Sequence, residues 1–79
     1  MAGITYGRLE AALLKLGFVK LTVDGGVVYL EKATDTHITF PLMPADALVQ
    51  ARHLGVARTL VTGRVAAVAD FERALEQVA

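Results

Sequence analysis

A chain of 79 residues with eight basic and eight acidic side chains is formally neutral, is 54% hydrophobic by residue type and contains no cysteine. That length supports one domain, residues 1–79, with a thin core, since a body of this size buries only about 60% of the surface its unfolded chain exposes; without cysteine, disulfide staples and cysteine-based zinc sites are both excluded. Each half of the chain, 1–42 and 43–79, carries four charges of each sign, so no basic block exists to release counterions, and strong generic nucleic-acid binding is disfavoured.

The first predicted element is a helix capped by Thr5, in which Tyr6, Leu9, Leu13 and Leu16 recur at helical spacing with Ala12 beside them. One stripe therefore faces a core. Arg8 stands where a capping box places Glu, and Gly7 costs about 1 kcal/mol relative to Ala, so the first turn is expected to fray. Lys15 suits the helix dipole, and Gly17 is the expected left-handed terminating residue.

Three extended runs follow, Phe18–Val23, Gly26–Lys32 and Thr36–Phe40, rich in residues that fit a pleated surface. Asp24-Gly25-Gly26 reads as a hairpin turn, and Ala33-Thr34-Asp35 separates the second run from the third. Thr36, Ile38 and Phe40 alternate with His37 and Thr39, so one face meets the core, and Pro41 followed by Pro44 ends the strand. The expected sheet is an antiparallel meander with Val28 and Leu30 turned inward beside Ile38 and Phe40. Lys20, Thr22, Val27, Tyr29, His37 and Thr39 would then share the outward face. Such a mixed polar and aromatic surface could stack an RNA base or take a protein partner, including a second copy. Exposed Val27 and the carboxylate of Glu31 on the same face favour protein over RNA.

Residues 42–50 read as an irregular connection with at most one helical turn. A helix is expected over Ala51–Thr62, with Leu54, Ala57 and Val61 on one face, Val56 and Leu60 flanking them, and Gly63 closing it. A last helix from about Val68 carries Val68, Phe71, Leu75 and Val78 inward, with Asp70 and Glu72 in its first turn. The fold class is α+β in the order α-β-β-β-α-α, a three-stranded antiparallel sheet with helices on one face. No apolar run approaches the ~20 residues of a membrane span and the N-terminus lacks a signal-peptide layout, so no membrane association and a cytoplasmic location are expected. Surplus apolar surface in so small a body predicts a homodimer.

Chemistry-bearing residues are sparse. There is no serine and no cysteine, hence no familiar nucleophile set. The two histidines, His37 and His53, make no metal motif, no phosphate-binding glycine pattern occurs, and neither metal nor cofactor is expected. His37 is read as a strand-surface residue, and His53 as a partly buried one with a single ring nitrogen hydrogen-bonded. Arg52, Arg58 and Arg64 are spaced six apart, which does not align them on one helical stripe, and they read as solvated charges.

Leu13-Leu14-Lys15-Leu16-Gly17-Phe18, Asp24-Gly25-Gly26-Val27-Val28-Tyr29, the proline-terminated third strand and Leu54-Gly55-Val56-Ala57-Arg58-Thr59-Leu60 together resemble the HicA (YcfA-like) toxin family over nearly the whole chain. The resemblance implies a fold like that of double-stranded-RNA-binding domains. It also implies kinship with small endoribonucleases that cleave messenger RNA until a HicB antitoxin occludes them. The family's hairpin usually reads Gly-Ser-His, followed two residues later by an aromatic. Here the stretch is Gly25-Gly26-Val27 with Tyr29 as the aromatic, so Val27 stands at the position of the catalytic histidine. Valine can neither take nor give a proton, and general acid-base cleavage needs a group that does both. The expectation is a HicA-like domain without ribonuclease activity that binds a HicB-like antitoxin, itself or RNA. Two other readings stay open: a structural homo-oligomerisation module with no nucleic-acid role, and a messenger-RNA endoribonuclease whose catalytic group has moved.

Overall fold

Backbone accounting at the two ends of the first helix shows how local sequence sets the chain's course. The computed structural model describes residues 3–77, and in it α1 spans Tyr6–Lys15. The early N–H groups of a helix have no partner inside it. Here Tyr6 N–H donates to the carbonyl of Ala47 (2.9 Å), Gly7 N–H to that of Ala45 (2.8 Å), and Arg8 N–H to Thr5 Oγ1 (3.2 Å). The expected fraying does not occur, because a segment distant in sequence holds the first turn. Gly7 also suits this close approach: a Cβ at this position would lie 3.1 Å from the Ala45 carbonyl oxygen. At the other end Gly17 takes φ 103°, and Phe18 N–H and Gly17 N–H donate to the carbonyls of Leu13 and Leu14. This is the paired closure that a glycine makes possible after a helix. Phe18, the residue beyond it, is buried.

The sheet is a meander of β1 (Val19–Val23), β2 (Gly26–Glu31) and β3 (Thr36–Pro41), antiparallel throughout and in the order β1-β2-β3. Gly25 at φ 75° makes the tight turn between β1 and β2, and Asp35 at φ 54° the one between β2 and β3. Thr22 lies opposite Val27, Lys20 opposite Tyr29, Val27 opposite Phe40 and Tyr29 opposite Ile38. Residues directly opposite one another share a face. Val27 and Tyr29 therefore point to the helices with Ile38 and Phe40, while Val28 and Leu30 point outward. This reverses the expected facing of β2. Both sets on that strand are apolar, so hydrophobicity does not separate them; turn lengths set the register, and a one-residue shift exchanges the faces.

Residues 42–50 form a strap with no regular element. Its Val49 N–H donates to the Ile4 carbonyl (2.7 Å), and Thr5 and Leu48 make an isolated antiparallel bridge. Two further helices complete the chain, α2 (Ala51–Arg64) and α3 (Val68–Gln77). Gly63 lies within α2 and does not close it; the helix runs on to cap at Val65. α2 packs on β3 and α3, and α1 packs on α3. The core contains Leu9, Leu13, Phe18, Ile38, Val61 and Phe71 together with Ala12, Ala57, Ala74 and Leu75. Val68, expected to point inward, is 58% exposed, and Val56, expected to flank the apolar face of α2, is 49% exposed. Val68 opens α3 beyond the edge of the core, and Val56 lies one position off the buried line through Ala57 and Val61. The expected inward position of Val78 lies outside the described residues. Arg8 ties the ends of the chain together: its Nε and Nη2 donate to the carbonyls of Leu75 and Glu76, completing acceptors that the end of α3 leaves open.

Candidate functional site

A cleft of about 110 Å³ opens between the start of α1, the helix-facing side of the sheet and residues 41–45; Tyr6, Glu10, Lys20, Val27, Tyr29 and Met43 line it. It is small beside the roughly 300–1,000 Å³ of ordinary ligand pockets. Its polar groups converge on one oxygen. Lys20 Nζ lies 2.7 Å from Glu10 Oε1, and the Tyr29 hydroxyl donates to the same atom at 2.8 Å. The helix supplies the carboxylate from the edge of its buried stripe, and the opposition of Lys20 to Tyr29 brings the other two groups side by side.

Two ionisations of this set, those of Glu10 and Tyr29, move away from neutrality. The ammonium of Lys20 bonded to Glu10 holds the carboxyl below its ordinary value, with the Tyr29 hydroxyl adding to this and partial burial opposing it. Burial drives the Tyr29 phenol upward, and its bond to the Glu10 carboxylate adds to the shift. A carboxyl with a lowered folded-state pKa stabilises the fold above its unfolded value, about 4.3, and that contribution disappears as pH falls through the folded value. Between pH 7 and pH 3 the wild type is therefore expected to lose more stability than Glu10→Gln. Urea midpoints measured across that range check this, and parallel pH curves for the two proteins would contradict it.

Neither histidine lines the cleft. His37 is exposed on the outward face of the sheet, its Nε2 3.7 Å from Asp35 Oδ1. His53 is half-buried on α2, its Nδ1 2.9 Å from the Tyr6 hydroxyl and its ring tilted against Phe40 at 5.4 Å between centroids. This agrees with the sequence reading of both residues. The cleft thus holds a carboxylate already engaged twice, a phenol kept protonated and an aliphatic floor at Val27.

The six residues expected to share one surface are divided by the sheet. Lys20, Thr22, Val27 and Tyr29 take the helix side, with Val27 and Tyr29 buried, whereas His37 and Thr39 are exposed on the outward side. Beside those two, the outward face carries Val19, Leu21 and Val23, each 45–46% exposed, with Val28 and Leu30 half-buried between them. None of the three strands places a Lys, Arg, Asp or Glu on that face. Glu10, the centre of the cleft's polar set, was not singled out by sequence. The only available signal was an acid flanking the apolar stripe of α1, and its partners lie on other elements. Arg58 is paired with Glu72 at 3.1 Å, and Arg52 and Arg64 are exposed.

Among the described residues no group of three or more His, Asp or Glu side chains could hold a metal ion, and no helix is long and apolar enough to cross a membrane. Comparison of the chain with protein-family models, with curated proteins and with solved structures gives no match.

Proposed function

We propose that this chain is a HicA-like domain that acts by binding a protein, a HicB-like antitoxin or a second copy of itself, and does not cleave RNA. The observation that carries the reading is the outward face of the sheet: five aliphatic side chains, Val19, Leu21, Val23, Val28 and Leu30, with no lysine or arginine among them. RNA binding draws its affinity from cations along the phosphate path, and this face supplies none. Exposed aliphatic surface of this kind is what protein partners cover. The cleft supports the same reading. The HicA resemblance places the catalytic histidine at Val27, and beside that residue Glu10 is bonded to both Lys20 and Tyr29.

The test is a paired assay with a fluorescein-labelled single-stranded RNA at 150 mM salt, read by anisotropy for binding and by gel for cleavage. The expected result is no cleavage and no binding at 10 µM protein. Cleavage by the wild type that disappears in His37→Ala or Glu10→Gln would replace this reading with that of a nuclease whose catalytic group has moved. Tight, salt-sensitive binding would replace it with an RNA-binding one.

A further inference from the structure

The two edges of the sheet differ. β3 ends in Pro41, which has no N–H to offer a neighbour, and α2 packs against that strand. β1 has neither proline nor bulge, all five of its residues are exposed, and its principal packing is on β2 alone. An open edge of this kind is a template for another strand, and proteins that must stay single commonly protect it with an inward-pointing charge. β1 does carry one inward charge, Lys20, but Glu10 already neutralises it at 2.7 Å. Nothing on the strand bars a partner.

The sequence of β1, Val19-Lys20-Leu21-Thr22-Val23, is matched to itself when reversed. An antiparallel copy centred on Leu21 sets Leu21 opposite Leu21, Val19 opposite Val23 and Lys20 opposite Thr22. The outward row is then aliphatic at every position. The helix-side row is polar with no like charges opposed, an arrangement that favours the pair. Centring the pair on Lys20 would oppose two lysines.

We infer that a second copy of this chain pairs antiparallel with the free edge of β1 about a two-fold axis through Leu21, joining two three-stranded sheets into one. This goes beyond the binding reading above, which concerns the outward face: pairing at the edge joins the outward faces of the two copies side by side without covering them. A five-residue seam is small beside the roughly 800 Å² per partner of a standard interface. The dimer is accordingly a weak, concentration-dependent one, and each copy keeps its helices on the same side of the joined sheet.

Because the chain has no cysteine, single substitutions give clean cross-linking probes. Leu21→Cys places two thiols directly opposite, within the Cα separation of about 4.4–6.8 Å that a disulfide spans. Val23→Cys places its own pair four residues out of step, roughly 13 Å apart. Both positions are half exposed, so neither substitution disturbs the core. Mild oxidation at 200 µM is expected to link Leu21→Cys into a dimer of twice 8.4 kDa and to leave Val23→Cys monomeric. Light scattering of the wild type is expected to show mass rising towards the dimer between 5 and 500 µM, while Leu21→Lys stays monomeric with an unchanged circular dichroism spectrum. A wild-type monomer at 500 µM, equal cross-linking at both positions, or a dimer that survives Leu21→Lys would each overturn the inference. These results are independent of the RNA assay, so a failed dimer and a failed binding reading are told apart.

Discussion

Phe71→Ala is expected to lower stability by about 3–5 kcal/mol, the range for emptying a buried aromatic site. Phe71 is fully buried on α3, in the layer where α1 and α2 both meet that helix. At roughly 0.05–0.15 kcal/mol per residue, a domain of this length has about 4–12 kcal/mol in total, so this one truncation removes about a quarter or more of it. Val68→Ala, one turn earlier on the same helix, is the control. Spacing alone puts both residues on one stripe, yet Val68 is 58% exposed and its truncation is expected to fall within about 0.5 kcal/mol of wild type. Urea denaturation followed by circular dichroism measures both. Equal losses at the two positions would show that α3 is rotated from the orientation described.

Gly26→Ala is expected to cost about 1–3 kcal/mol, the range for forcing an extra carbon into packed structure. A Cβ on Gly26 would lie 2.7 Å from the carbonyl oxygen of Phe40, an atom of the neighbouring strand that cannot swing aside as a side chain would. β2 and β3 would have to part where Gly26 faces Pro41. Gly25 makes the contrast: it has φ 75° and open space around it, and asparagine tolerates that backbone region well. Gly25→Asn is therefore expected to cost less than Gly26→Ala, its cost being backbone strain alone. Denaturation midpoints give the energies, and faster amide exchange along β3 in Gly26→Ala alone would locate the damage.

The order of elements, the capping by Thr5, the turn at Gly25 and the exit at Gly17 were legible because each rests on a backbone preference written in one or two adjacent residues. The alternation of Thr36, Ile38 and Phe40 fixed the facing of β3 for the same reason. β2 was not legible in this way. Val27, Val28, Tyr29 and Leu30 are all apolar, and which pair enters the core depends on how many residues each turn spends before pairing begins. The candidate site inherited that uncertainty: once β2 is turned over, Lys20, Thr22, Val27 and Tyr29 leave the surface assigned to them and join Glu10 in a cleft. Glu10 itself could not be picked out, since its role depends on Lys20 and Tyr29 approaching from a different element. The reading of α2 failed at Gly63 because tertiary packing of Val61, and its carbonyl accepting from the N–H groups of Val65 and Ala66, carries the helix past a residue that usually ends one.

The strap at residues 45–47 imposes an order of events on a chain leaving the ribosome. The opening turn of α1 needs carbonyls supplied some forty positions later, so a nascent chain that has emerged only as far as the hairpin holds that turn incomplete, with the amides of Tyr6 and Gly7 bonded to water. Closing so long a loop is an entropic step that precedes its reward. α1, synthesised before the sheet, is thus finished only after that sheet has formed.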